Sequence, residues 1–162
     1  MKLAILVLED EPDVRAALER DLEPLARTVR IEPAHDVADA QEVVEQVAAD
    51  GDLLALVLAD HRLPGTAGVD YLCTLAAAPD TAHVATVLVT GQADQADTIK
   101  ALNLAGLDYY IAKPWDAREL ESVVRRLLTD VVAAVGVDPL PHLAALDPVR
   151  AMDLIRSRTG DR

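Results

Sequence analysis

Phenylalanine is missing from this 162-residue chain, and its aromatic residues come to one Trp and three Tyr. A core without large rings has to be filled by Leu, Val, Ile and Ala. The single cysteine, Cys73, excludes an internal disulfide and suits a reducing compartment. No apolar run approaches the ~20 residues needed to cross a bilayer. The opening MKLAILVL is too short for a secretion signal and runs straight into acids, so a cytoplasmic protein without a membrane partner is expected. Basic residues are outnumbered 15 to 28 by acids, a formal charge of −13. After residue 130 four acids and four arginines cancel, so the whole excess lies in 1–130. Such a field repels a phosphate backbone and argues against direct nucleic-acid binding. There is no Gly-rich phosphate loop, no Ser/His/Asp arrangement and no internal repeat. His35, His83 and His142 lack metal-ligand spacing.

Two kinds of segment alternate along the chain. Residues 3–8, 53–59 and 84–89 are nearly continuous apolar runs, the pattern of strands buried on both faces. Residues 109–112 form a further short strand and 28–34 a weaker one. Between them, Val14, Leu18, Leu22 and Leu25 share a helical face, and so do Val37, Val43, Val44 and Val47 behind an Asp36 cap. GVDYLCTLAAA, ADTIKALNLAG and DARELESVVRRLLTDVV complete the helices. Five strands alternating with five helices predict an α/β fold: a parallel sheet covered on both faces and joined by right-handed crossovers.

In such a sheet ligands bind beyond the carboxyl ends of the strands. The first strand runs into Glu9, Asp10, Glu11 and Asp13, with only Pro12 among the acids. Carboxylates that close repel one another unless they open a helix or hold a divalent cation. The third strand ends in Asp60, the fourth in Thr90, the fifth in Lys113 followed by Pro114. Alone, Asp60 could cap a turn, Thr90 could merely end its strand and Lys113 could be a solvated lysine. Together they bring carboxylates, a hydroxyl and an ammonium to one edge.

The stretches ILVLEDEPDVR, LVLADHRLPGTAGVDYL, VLVTG and YYIAKPW resemble the receiver domain of bacterial two-component response regulators, over residues 3 to about 128. The resemblance implies a flavodoxin-like, doubly wound (βα)5 sheet of strand order 2-1-3-4-5. It implies a phosphorelay protein that catalyses only its own phosphorylation and dephosphorylation, taking its phosphoryl group from a sensor histidine kinase or phosphotransfer protein. Asp60 would be the phosphoacceptor, since an ionised carboxylate attacks phosphorus without a general base. Mg²⁺ would be held by Asp10 and Asp60, by Glu9 through water and by the main-chain carbonyl of Arg62. Lys113 and Thr90 would bind phosphoryl oxygens, and Tyr110 would be an aromatic switch that follows Thr90. The Lys113–Pro114 bond would be cis. Arg62 and Gln92 would border the path of attacking water and tune the lifetime of the phosphoryl group. Glu9 stands where many relatives carry Asp, and Trp115 replaces the commoner Phe.

Residues 1–130 are thus expected to form the receiver and 131–162 a helical tail or linker. The preceding helix should continue to Gly136, DPLPH should break the chain, and Asp147–Pro148 should open a last helix through about Arg156. Val149, Met152 and Ile155 would form its apolar stripe. That tail either packs on its own domain, pairs in a homodimer, or links to a downstream output domain of a larger regulator. From a different class, a phosphate-independent interaction module keeps only the fold, but intact Asp10, Asp60, Thr90 and Lys113 weigh against it. A small-molecule phosphatase with an aspartate nucleophile would need a second acid where Arg62 stands.

Overall fold

Six consecutive apolar residues form β1 (Leu3–Leu8), all of them buried, because this strand lies inside the sheet with helices over both faces. The computed structural model describes residues 1–91, 96, 103 and 106–160. β2 (Val29–Ala34), β3 (Leu53–Asp60), β4 (Ala85–Thr90) and β5 (Tyr109–Ala112) complete a parallel sheet of order 2-1-3-4-5. β2 is an edge strand, which tolerates its Pro33 and leaves Arg30 and Glu32 half-buried.

Helix α1 (Pro12–Leu22) opens on proline, which suits a first turn whose N–H groups have no partner within the helix. In α2 (Val37–Ala49) the Asp36 carboxylate caps the start, accepting from the Asp39 N–H at 2.8 Å. α3 (Gly68–Ala77) buries Tyr71, Leu72 and Leu75, with Cys73 half-buried. α4 (Ala117–Val135) is capped by Asp116, which accepts from the Arg118 and Glu119 amides at 2.9 Å, and ends on left-handed Gly136. α5 (Pro148–Gly160) follows a short 3-10 stretch, Leu140–Ala145. The helix expected in ADTIKALNLAG lies almost wholly outside the described residues.

Strand alternation sorts the core into two layers. Leu3, Ile5 and Val7 pack with Leu18 and Leu22 of α1 and with Leu120, Val124, Leu128 and Val132 of α4. Ala4, Leu6 and Leu8 pack with α2 and with Tyr71, Leu72 and Leu75 of α3. Fully burying a leucine is worth roughly 1.5–3 kcal/mol, so these layers fasten the helices to both faces of the sheet. Between β1 and β3 the register shifts at Ala4/Ile5, where Leu54 and then Leu56 become the successive partners. Ala55 and Leu56 consequently fall in the same layer, and from there Leu58 and Asp60 run in step with Val7 and Glu9.

The tail folds back on α4. Ala145, Leu146 and Ala151 join the α1/α4 layer, and the Asp147 N–H donates to Thr129 Oγ1 at 2.9 Å. Asp147 Oδ1 accepts from the Val149 and Arg150 amides, the cap that starts α5. The helix runs further than expected, to Gly160, and of the arrangements left open for its stripe the structure leaves Val149 and Met152 facing solvent while Ala151 is buried. Beside this contact Arg150 pairs with Asp130, and Arg158 donates to the Val137 carbonyl at 2.7 Å. Small Ala151 sits against the core and the larger apolar side chains stay outside.

At the opposite edge of the sheet from the strand ends, Arg30 pairs with Glu32 at 2.6 Å, Asp50 at 2.7 Å and Asp52 at 3.2 Å. Arg30 holds the Asp50 carboxyl below its usual 3.8, and Asp52 is lowered by the Lys2 N–H first and Arg30 next. Depressed folded-state values mean that the unfolded chain binds more protons, so this stabilisation is present above pH ~3.8 and drains away below it. Arg30→Met is expected to flatten the fall of Tm with acid below about pH 4, measured by thermal melts across that range.

Candidate functional site

Three chain segments meet at the carboxyl edge between β1, β3 and β5. The ladder continues past the strand ends, with the Glu9 N–H donating to the Ala34 carbonyl at 3.0 Å and the Lys113 N–H to the Thr90 carbonyl at 2.8 Å. These bonds hold Glu9 and Lys113 at fixed positions rather than on free loops. Asp60 is still within β3, opposite Val89 of β4.

Carboxylate oxygens of Glu9, Asp10 and Asp60 all lie within 4.8 Å of one another, the one such acidic cluster among the described residues. Glu9 is fully buried and Asp60 is 5% exposed, while Asp10 is half-buried. Lys113 Nζ sits 3.0 Å from Asp60 Oδ1 and 3.6 Å from Glu9 Oε2. One ammonium does not balance three carboxylates. Burial first, and then the Asp60 charge, push the Glu9 carboxyl up from 4.5 to about 7, although Lys113 opposes this. Burial alone would lower the Lys113 ammonium, but Asp60, Glu9 and Glu11 together keep it raised.

Glu9 Oε2 is buried and makes no hydrogen bond. Its other oxygen accepts only a long, 3.4 Å bond from the Glu11 N–H. A buried carboxylate oxygen in that condition costs free energy that a cation would recover. The donors of the cluster are all hard carboxylate oxygens. The set fits a small divalent ion such as Mg²⁺, not a soft metal.

Thr90 is fully buried at the end of β4, with its Oγ1 donating to the Gly91 carbonyl at 3.3 Å. Tyr110, half-buried on β5, packs against the α2/α3 layer and lies opposite Leu88. Thr90 and Tyr110 therefore share a sheet face, the one opposite to that of Glu9, Asp60 and Lys113. Tyr110 also stacks on Tyr109, with ring centroids 6.3 Å apart and planes 23° apart. The Lys113–Pro114 peptide is cis. Arg62 is exposed in the loop after β3, where it bridges to Ala67. Gln92 lies outside the described residues.

Three further residues shape the site and were not singled out by sequence. Gly68 begins α3 with its N–H donating to the His61 carbonyl at 2.9 Å. A Cβ there would overlap the Asp60 carbonyl oxygen and lie 2.7 Å from the Asp60 carbonyl carbon. Arg15 Nη1 donates to the Glu9 carbonyl at 2.8 Å, and Asp21 Oδ2 accepts from the Trp115 indole at the same distance. Contacts of this kind leave no local sequence signature, because each depends on how α1 and α3 dock.

Comparison with known proteins adds an independent line. The family profile of the response regulator receiver domain matches residues 5–125. The transcriptional regulatory protein AruR of Pseudomonas aeruginosa is 32% identical over 127 residues, covering 78% of this chain and 50% of AruR. TorR of Escherichia coli, the TorCAD operon transcriptional regulatory protein, is 31% identical over 135 residues, 83% of this chain and 54% of TorR. The hydrogenase transcriptional regulatory protein HoxA of Cupriavidus necator is 28% identical over 98% of this chain but only 30% of HoxA. The chain thus spans about half the length of two of these relatives and under a third of the other. Among solved structures, the receiver domain of NtrX from Brucella abortus superposes with TM-score 0.65 at 25% identity, covering 76% of this chain and 97% of that one. The signal receiver domain of an HD domain-containing protein from Pseudomonas fluorescens gives 0.69 at 24%, with 84% and 93% covered, and this likeness is one of fold.

Proposed function

This chain belongs to the response regulator receiver domain family, and from that premise we propose that Asp60 is its phosphoacceptor and that residues 1–130 form the receiver. The observation that carries the reading is the cluster itself: a buried carboxylate at a strand end, 3.0 Å from a lysine ammonium and beside two more acids. Asp60 attacks the phosphorus of a phosphohistidine on a sensor kinase or phosphotransfer protein. An O–P bond forms, the P–N bond breaks, and the leaving imidazole takes up a proton. Water attacking the same phosphorus later returns the carboxylate and inorganic phosphate. These are the only reactions proposed for the chain.

Asp10 and Asp60 would hold Mg²⁺ directly, with Glu9 reached through a bound water and the Arg62 carbonyl completing the protein ligands. Bound there, the ion neutralises charge on the transferring group and on the crowded acids. Lys113 already faces Asp60 and is placed to pair with a phosphoryl oxygen once the aspartate is esterified. Thr90 now bonds the Gly91 carbonyl and would move beyond the strand end to donate to another phosphoryl oxygen, and Tyr110, on its own sheet face, would turn inward as it does so. The phosphoryl group thereby favours one of two arrangements, because it makes contacts in only one of them. Arg62 and Gln92, two residues after Asp60 and Thr90 in the sequence, would tune the lifetime of the ester. Residues 131–162 would be a helical tail or linker, and a downstream protein or output domain would receive the change. No helix among the described residues is long and apolar enough to cross a membrane, consistent with a cytoplasmic phosphorelay.

Incubation with a small phosphodonor, followed by intact-protein mass measurement with and without Mg²⁺, tests the reading. A Mg²⁺-dependent phosphoryl adduct, labile to hydroxylamine as an acyl phosphate must be, is expected on the peptide carrying Asp60. Absence of any adduct, with Mg²⁺ also failing to change Trp115 fluorescence, would instead favour a phosphate-independent interaction module.

A further inference from the structure

Helix α1 lines none of the reactive positions, yet it holds two of the three segments that do. Near its start, Arg15 Nη1 grips the carbonyl of Glu9 at 2.8 Å. At its end, Asp21 Oδ2 accepts the indole N–H of Trp115 at 2.8 Å, a bond between residues 94 positions apart. Asp21 is largely shielded, its side chain 14% exposed, and its other oxygen faces Arg20 Nε at 3.3 Å. Trp115 is half-buried against the α1/α4 layer. The two gripping side chains are six residues apart on one helix, roughly 9 Å along its axis. A helix of this length, buried by Leu18 and Leu22, fixes the spacing between what it grips.

What it grips matters. One end carries Glu9 and Asp10, and the other carries Lys113 through a two-residue connection that includes the φ-restricted Pro114. Lys113 Nζ must stand between Asp60 and Glu9, at 3.0 and 3.6 Å. A phenylalanine at 115 would fill the same apolar space but would offer no donor to Asp21. We infer that Asp21 and Trp115 are positioning residues: their bond, with that of Arg15, makes α1 a brace that sets Lys113 against the acidic loop. This rests on the phosphoacceptor reading above. Small displacements of a group that must meet a developing charge are costly, up to ~10²-fold in rate for about 1 Å.

The test compares wild type with Trp115→Phe, Asp21→Leu, Asp21→Asn and the Phe/Leu double variant. The rate of adduct formation from acetyl phosphate is followed by mass, and the Mg²⁺ affinity by calorimetry. Trp115→Phe and Asp21→Leu should each slow phosphorylation about tenfold, and the double variant should be no slower than either. Asp21→Asn keeps an accepting oxygen and should recover most of the rate. Mg²⁺ affinity should change less than about twofold throughout, since no carboxylate of the cluster is touched. Equal rates in all variants below their melting temperatures overturn the inference, even if Tm falls, because a merely structural tie predicts that result. A wild-type protein that takes up no phosphoryl group would overturn the phosphoacceptor reading and this one with it, and is told apart by failing before any variant is made. The unmutated chain supplies a second readout, since Trp115 is its only tryptophan. Its indole N–H resonance should shift when Mg²⁺ and beryllium fluoride fill the site, and a stationary resonance overturns the coupling.

Discussion

Asp60→Asn is expected to abolish phosphoryl uptake while making the Mg²⁺-free protein more stable, by on the order of 1 kcal/mol. The first effect follows from chemistry, because an amide oxygen carries no charge to attack phosphorus. The second follows from the unbalanced cluster. Three carboxylates share one ammonium, and the Asp60 charge is, after burial, the main cause that pushes Glu9 up to about 7. An asparagine removes that repulsion, and its Oδ1 can still accept from Lys113. In excess Mg²⁺ the order should reverse. Wild type gains about 2.7 kcal/mol at a hundredfold excess over Kd, and a variant with one carboxylate fewer binds the ion more weakly. Thermal melts of both proteins in EDTA and in Mg²⁺ check this, and the four values should cross. A variant that is no more stable in EDTA would mean that Lys113 already offsets the crowding. An adduct that persists would place the acceptor elsewhere.

The alternation of the chain was legible because β1, β3 and β4 are buried on both faces and so read as plain apolar runs. β2 was weaker in sequence for a physical reason: at the sheet edge, Arg30 and Glu32 can point toward water without cost. That Glu9, Asp10, Asp60 and Lys113 gather at one edge followed from their places at strand ends, since a parallel sheet brings those ends together. The strand order came from family resemblance, because periodicity counts strands and does not arrange them. Other features have no local trace. The register shift at Ala4/Ile5 brings Asp60 into step with Glu9, yet LLALVLAD shows no break in pattern. The bond between Asp21 and Trp115 depends on how α1 docks beside α4. In α5 the spacing marks Val149 and Met152 as one apolar stripe and does not say whether that stripe turns toward the core or away from it. In the structure Ala151 faces inward, with Arg150 paired to Asp130 and Arg158 bonded to main-chain carbonyls beside it. GVDYLCTLAAA reads as a helix that opens on Gly68, which is where it begins, but nothing in that stretch tells why a glycine stands there.

Gly68→Ala is expected to destabilise the protein by about 3 kcal/mol or more, beyond the usual cost of an overpacked site, and to impair phosphoryl uptake with it. In an ordinary helix the change would gain up to about 1 kcal/mol, since alanine is the better helix former. Here the sign reverses for lack of space. Gly68 has no positive φ, so conformational freedom is not what the position needs. A Cβ would overlap the Asp60 carbonyl oxygen, stand 2.7 Å from the Asp60 carbonyl carbon and reach within 3.1 Å of His61 Cα. All three are backbone atoms, and no flexible side chain can yield. The ladder pins β3 opposite Val89, and the Gly68 N–H is bonded to the His61 carbonyl, so neither partner can retreat alone. Either α3 lifts from the sheet, exposing Tyr71, Leu72 and Leu75, or the peptide after Asp60 tilts and carries the carboxylate out of line with Lys113. Gly160→Ala is the control, because a Cβ at that helix end meets nothing within 4 Å, and it should change stability by less than about 0.5 kcal/mol. Chemical denaturation of both variants, with adduct formation timed below their transitions, separates the outcomes. A Gly68→Ala protein as stable as the control, and phosphorylated at the wild-type rate, would show that α3 does not press on the Asp60 strand.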